Sequence, residues 1–160
     1  MRVATALAPH LDAEQPNQTI LDFGCGTGLS GLALRSCGLG PLHGTDITPA
    51  MIDLAEEKDI YEKLWVSEPG EAPPSEYAAI VAAGVVSLGA APPETFDLLL
   101  DALAPGGLLA LSFNDPTIAD GTYDARVTAR ADDSELLFRE HGDHLTGVDM
   151  GADVLVLRRL

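Results

Sequence analysis

The chain is poor in cysteine: Cys25 and Cys37 are the only two among 160 residues. Two thiols exclude a disulfide framework and a four-cysteine zinc site, and they fit a reducing interior. Cations are scarce as well, with 9 Lys plus Arg against 25 Asp plus Glu and a formal net charge of −16. The few cations are scattered, so the chain would repel a phosphate backbone, and free DNA or RNA is a poor partner. Lysine is confined to Lys58 and Lys63, a bias of the kind left by GC-rich coding or salt adaptation. Long apolar runs are missing too. Those around 78–91 and 102–113 are interrupted by Gly or Pro and fall short of about 18 residues, so no membrane span is expected. The apolar stretch Val3 to Ala8 is too short for a signal-peptide core. A soluble, cytoplasmic protein is expected, without repeats or low-complexity tracts.

What is present is ordinary globular material. At 16.7 kDa, with 46% hydrophobic and 21% charged residues, the chain is sized for one domain over residues 1–160. Chains of about 150 residues bury roughly 70% of their unfolded surface, enough for a core. A short N-terminal helix is expected at about 3–11, before a strand over Thr19–Phe23. A helix over Gly28–Ser36 follows, with Leu29, Leu32, Ala33 and Ser36 on one face. Leu42–Asp46 reads as a second strand. Thr48 and Pro49 then open a helix carrying Met51, Leu54, Ala55 and Lys58 at helical spacing. Further strands are expected at Leu64–Ser67, Ala78–Ala83 and Leu108–Phe113. The helix opened by Pro92-Pro93-Glu94 precedes the last of these. A weaker helix near Tyr123–Ala131 and strands at Leu136–Arg139 and Asp153–Arg158 complete the chain.

Such alternation predicts an α/β fold: a doubly wound, mainly parallel, Rossmann-like seven-stranded sheet with an antiparallel terminal strand, in three layers. Between the third and fourth strands lies only a Pro/Gly-rich loop. It would have to span roughly 20–25 Å, within reach of about ten extended residues.

The most specific segment is Asp22-Phe23-Gly24-Cys25-Gly26-Thr27-Gly28, a strand delivering alternate glycines to a helix start. Bare backbone there lets a ligand approach closely. Gly26, Gly28 and Gly31 also satisfy G-x-G-x-x-G, the dinucleotide fingerprint. Asp22 argues against a dinucleotide, because its carboxylate would face the loop where a pyrophosphate sits. A ligand with an amine and no phosphate reverses that repulsion, and S-adenosylmethionine has this character. Asp46 ends the second strand 24 positions later, where such folds hold ribose hydroxyls.

These segments resemble class I S-adenosylmethionine-dependent methyltransferases. Asp22 to Gly28 is similar to the first motif of that family, D-x-G-x-G-x-G. Gly44-Thr45-Asp46-Ile47-Thr48-Pro49-Ala50-Met51 resembles the second-strand motif, and Leu103-Ala104-Pro105-Gly106-Gly107-Leu108-Leu109 the L-x-P-G-G-x-L turn. Lys58 to Glu68, with Ile60-Tyr61 and Leu64, further resembles the Williams–Beuren-type methyltransferase-like subgroup. The resemblance implies S-adenosyl-L-methionine as cofactor and methyl donor. It implies Asp22 at the methionyl end, Gly24 and Gly26 beneath the cofactor, and Asp46 on the ribose. Ile47 and Met51 would lie against adenine, Glu68 at the adenine amine, and Ala82, Ala83 and Gly84 around the methyl group. Cys25 is small enough to sit beside the cofactor and lacks a His partner, so it is not expected to be a nucleophile.

No residue declares itself as a general base, although Asp115, Tyr123 and His10 are candidates. His141-Gly142-Asp143-His144, with Asp149, reads as an exposed hairpin rather than a metal site. Asn114-Asp115-Pro116-Thr117 reads as a turn. The acceptor is expected to be a small molecule, and nothing fixes the oligomeric state. Two other readings remain open: an NAD-type oxidoreductase, and a non-catalytic module that binds S-adenosylmethionine without consuming it.

Overall fold

The computed structural model describes residues 1–12, 14, 18–143 and 149–160. Its helices are α1 (Arg2–Leu7), α2 (Leu29–Ser36), α3 (Pro49–Glu56), α4 (Glu94–Asp101), α5 (Asp115–Asp120) and α6 (Thr122–Ala129). Its strands are β1 (Ile20–Phe23), β2 (Leu42–Asp46), β3 (Lys63–Val66), β4 (Ala79–Ala82), β5 (Leu108–Asn114), β6 (Ser134–Asp143) and β7 (Gly151–Arg159). They form one seven-stranded sheet in the order β3-β2-β1-β4-β5-β7-β6. Strands β1 to β5 pair in parallel, and β7 runs antiparallel between β5 and β6.

Period-two alternation sends each strand's side chains into two cores. Leu21, Ile80, Leu109, Leu111, Leu155 and Leu157 meet Phe96, Leu99 and Leu100 of α4 and Tyr123 of α6. On the opposite face Ile20, Leu42, Val81, Ala110 and Val156 meet Val3, Ala4 and Leu7 of α1 and Leu34 of α2. Strand β4 at the middle of the sheet is apolar throughout because both of its faces are covered. Between Val66 and Ala79 no helix or strand intervenes, so the crossover from β3 to β4 is a loop, as the spacing required.

Several local expectations change. The N-terminal helix is shorter: α1 ends at Leu7 and continues as a single 3₁₀ turn over Ala8–His10. Pro9 within that turn has no N–H to continue an α-helical ladder. Asn114-Asp115-Pro116-Thr117 is a helix start rather than a turn. The Asn114 Oδ1 accepts from the Thr117 N–H at 3.1 Å and from its hydroxyl at 2.6 Å, capping α5 with a proline in the first turn. The spacing of Leu29 and Leu32 also gives the wrong face of α2. Leu29 is 69% exposed, while Gly31 and Leu34 are the residues that face the protein. On α3, similarly, Ala55 is buried and Leu54 lies exposed. Small residues point inward here because a tyrosine ring, described below, lies under α2.

Candidate functional site

Strand order reverses at β1, which has β2 on one side and β4 on the other. In an open parallel sheet, the crevice at the C-terminal ends of such strands is where ligands bind. The residues singled out from the sequence fall at that edge. Asp22 to Gly28 run from the end of β1 into the loop after it, Asp46 to Met51 run from the last residue of β2 into α3, Glu68 lies just past β3, and Ala83 follows β4.

Asp46 closes the glycine loop. Its Oδ2 accepts the Gly26 N–H at 3.0 Å and its Oδ1 the Thr48 N–H at 2.9 Å. The Cys25 N–H donates to the Thr45 carbonyl at 2.9 Å, tying the loop to β2 a second time. Gly24 has φ +67°, and a Cβ there would stand 2.4 Å from a Val85 methyl carbon, so only glycine fits. Gly26 is different. It has φ +53°, and a Cβ would meet nothing within 4 Å. The backbone at Gly26 therefore faces open space, which suits a ligand lying across it.

Asp22 is fully buried on the α2 side of β1. Its Oδ2 accepts from the Tyr61 hydroxyl at 2.6 Å and from the Ser30 hydroxyl at 2.7 Å. Its Oδ1 has no partner, and it is the one buried side-chain oxygen or nitrogen so placed among the described residues. Burial pushes the Asp22 carboxyl up to about 6, against the two hydroxyls and the Gly31 N–H, which pull it down; the Asp46 charge pushes it up further. Cys25 is pushed up to about 12, by burial first and then by the Asp22 and Asp46 charges. It stays a neutral thiol at physiological pH, which agrees with its lacking a nucleophilic role.

Around this centre Ile47 is 57% exposed and Met51 is also at the surface, leaving two apolar side chains beside Asp46 with little to cover them. Glu68 is exposed, and its N–H donates to Glu71 at 2.8 Å. The Ser67 N–H just before it donates to the Asp46 carbonyl at 3.0 Å, linking the ends of β2 and β3. Ala83 is half-buried. The following Gly84 donates its N–H to the Ser112 hydroxyl at 3.0 Å, and a Cβ on it would again meet open space.

The candidate bases separate. His10 lines a cavity of about 390 Å³ with Tyr77, Gly107 and Arg158, at the opposite edge of the sheet. The Tyr123 hydroxyl donates to the Ala91 carbonyl at 3.1 Å and is buried, so neither residue reaches the crevice. Asp115 starts α5 at the functional edge and accepts the Gly151 N–H at 2.7 Å. His141 lies in β6, its Nδ1 2.8 Å from Asp153 and its Nε2 3.7 Å from Asp115. Asp149 is exposed, and His144 lies outside the described residues.

Sequence reasoning left Tyr61, Ser30, Gly31 and Gly44 without roles. A Cβ on Gly31 would overlap the Tyr61 hydroxyl oxygen, and one on Gly44 would lie 3.0 Å from the Tyr61 ring. The ring passes between these two glycines to reach Asp22. The third glycine of the apparent dinucleotide fingerprint makes room for a tyrosine.

A family described as "Methyltransferase domain" matches residues 2–150. The chain belongs to this methyltransferase family. Membership implies S-adenosylmethionine as the methyl donor, and the orphaned Asp22 oxygen and the open space over Gly26 fit such a ligand. The chain is 33% identical over 104 residues to a ribosomal protein L11 methyltransferase of Paraburkholderia phytofirmans, covering 61% of this chain and 32% of that protein. It is 35% identical over 97 residues to methyltransferase-like protein 27 of Homo sapiens, covering 58% and 39%. It thus spans about a third of the length of these relatives. Its fold is similar to that of the N-methyltransferase NodS from Bradyrhizobium japonicum, with TM-score 0.72, 19% identity, and 99% and 94% of the two chains covered.

One expectation is corrected by these relatives. A small-molecule acceptor does not stand, because the L11 methyltransferases are named for a protein acceptor. A net charge of −16 disfavours a phosphate backbone without selecting a small molecule, because a basic polypeptide is attracted to such a chain.

Proposed function

We propose that this chain binds S-adenosylmethionine at the C-terminal ends of β1 to β4 and transfers its methyl group to a polypeptide acceptor. One observation carries the reading: two carboxylates, Asp22 and Asp46, flank a loop whose central glycine faces open space. Burial is the chief influence on Asp22, followed by two hydroxyls, the Asp46 carboxylate and the Gly31 N–H, and none of these is a cation. A pyrophosphate would add charge of the same sign, which disfavours the NAD-type alternative. An ammonium ligand offsets it.

In this reading Asp22 faces the ammonium end, directly or through water, and Gly24 and Gly26 leave the cofactor its path. Asp46 turns from loop closure to the ribose hydroxyls, Ile47 and Met51 cover adenine, and Glu68 meets the adenine amine. Cys25 and Ala83 line the remaining walls. When bound, S-adenosylmethionine supplies a methyl group already activated on a sulfonium. The chain's own contribution is alignment and exclusion of water, which can supply much of the rate without a general base. The finer placement, beside the Williams–Beuren-type subgroup, rests on Tyr61 and Glu68. Free Cys25 and Cys37 are in keeping with a cytoplasmic setting.

The test is a transfer assay with methyl-labelled S-adenosylmethionine and purified basic ribosomal proteins. Label fixed in a protein band with wild type, and absent with Asp46→Ala, supports the proposal. Binding of S-adenosylmethionine with no label in any polypeptide would sink the acceptor assignment and favour the non-catalytic module.

A further inference from the structure

Asp22 sits at the end of β1, opposite Gly44 of β2 in the register of the sheet. A buried carboxylate turns freely unless its surroundings hold it, and here both side-chain donors fall on one oxygen. Tyr61 and Ser30 both donate to Oδ2, at 2.6 Å and 2.7 Å, and Oδ1 is left without a partner. Two hydroxyls on a single oxygen are a directional device, since charge-assisted hydrogen bonds of this length are among the stronger ones in proteins. The Tyr61 side is costly to build. Its hydroxyl reaches Asp22 from 39 positions away by passing Gly31 of α2 and Gly44 of β2, where any Cβ would collide with it. A glycine in a helix interior sacrifices about 1 kcal/mol relative to alanine.

We propose that Tyr61, together with Ser30, is a positioning residue of the cofactor site: the two hydroxyls pin Oδ2 of Asp22 so that Oδ1 is the oxygen presented to the cofactor's ammonium group. The proposal rests on the cofactor reading above and adds residues to it. Neither hydroxyl touches the cofactor; both act through Asp22.

The experiment compares two ligands by calorimetry on the full chain. S-adenosylhomocysteine carries the ammonium, and 5′-methylthioadenosine keeps the nucleoside and lacks the amino-acid arm. Tyr61→Phe retains the ring and removes the hydroxyl. It should bind S-adenosylhomocysteine about tenfold more weakly and methylthioadenosine within twofold of wild type. Ser30→Ala, which leaves the ring untouched, should show the same selective loss and serves alone if Tyr61→Phe does not fold. Equal losses for both ligands would mean that Tyr61 only shapes the pocket, and unchanged affinities would mean that Asp22 needs no orienting; either result overturns the proposal. If wild type binds neither ligand, the cofactor reading itself fails and the relay falls with it.

Discussion

Oδ2 of Asp46 accepts the backbone N–H of Gly26 at 3.0 Å across 20 positions, so the residue proposed as a ribose anchor also fastens the glycine loop. The same carboxylate takes the Thr48 N–H through Oδ1 at the start of α3. A free carboxylate waiting for a ligand would have left these two N–H groups to water. In the proposed reading, loop closure and ligand recognition compete for one side chain.

Asp46→Ala should accordingly lose both properties. Two charge-assisted bonds to backbone N–H groups disappear, each worth about 1.5–3 kcal/mol at best and partly replaced by water. A net destabilisation of about 1–2 kcal/mol is expected without ligand, a fall of roughly 3–6 °C in melting temperature for a chain of this size. Affinity for S-adenosylhomocysteine should fall by about 30-fold or more. Thermal melts with and without ligand check both numbers. A mutant that melts as wild type does while losing affinity would show that Asp46 serves the ligand alone.

Asp22 should make the empty protein less stable at neutral pH than it could be. Its carboxyl is raised to about 6 in the folded chain, so the native state holds that proton more tightly than the unfolded state does. The stabilisation from this group is complete below about pH 4 and is lost as pH rises through about 6. The difference is on the order of 3 kcal/mol. Asn at this position keeps an oxygen to accept from Tyr61 and Ser30 and carries no charge. Asp22→Asn should therefore match wild type near pH 3.5 and exceed it by about 1–3 kcal/mol at pH 7.5, while binding S-adenosylhomocysteine poorly. Denaturant unfolding at the two pH values supplies the comparison, and a difference independent of pH would contradict the burial argument.

Gly31→Ala tests the tyrosine channel, because two effects of opposite sign compete there. Helix propensity alone would stabilise the variant by about 1 kcal/mol. The new methyl would overlap the end of the Tyr61 ring, which the backbone at Gly44 hems in from the other side. Overpacking of this kind costs about 1–3 kcal/mol and should win. The variant is expected to melt lower than wild type, and Tyr61→Leu in the same chain should recover part of the loss. A melting temperature above wild type would mean that Tyr61 moves aside at no cost.

The sheet and its order of elements were legible in the sequence because burial on both faces makes β4 continuously apolar and β5 apolar over residues 108–111, and because Pro49 and Gly106-Gly107 punctuate the helices. Faces were harder to read. Leu29 and Leu32 have the spacing of an inward stripe, yet Gly31 takes that side, since what α2 packs against there is a tyrosine ring and a carboxylate rather than aliphatic side chains. The glycine loop and both of its carboxylates were visible as a pattern at strand ends. Their hydrogen-bond partners were not: Tyr61 meets Asp22 only through the fold, and Asn114 caps α5 through a geometry that a turn shares over four residues. The pair Gly31 and Gly44, smallest possible residues on a helix and a strand that must both approach Tyr61, was the one signal available.

Calorimetric titration of S-adenosylhomocysteine into the wild-type protein and into Gly26→Val tests the central claim most directly. Gly26 has open space around its missing Cβ, so a valine there collides with no protein atom within 4 Å of that carbon and mainly obstructs the ligand, at a backbone cost of about 1–2 kcal/mol for its positive φ. Saturable 1:1 binding to wild type, none to folded Gly26→Val, and no heat from NAD with either is the predicted result. Unchanged affinity in folded Gly26→Val, or binding of NAD in place of S-adenosylhomocysteine, would contradict the account.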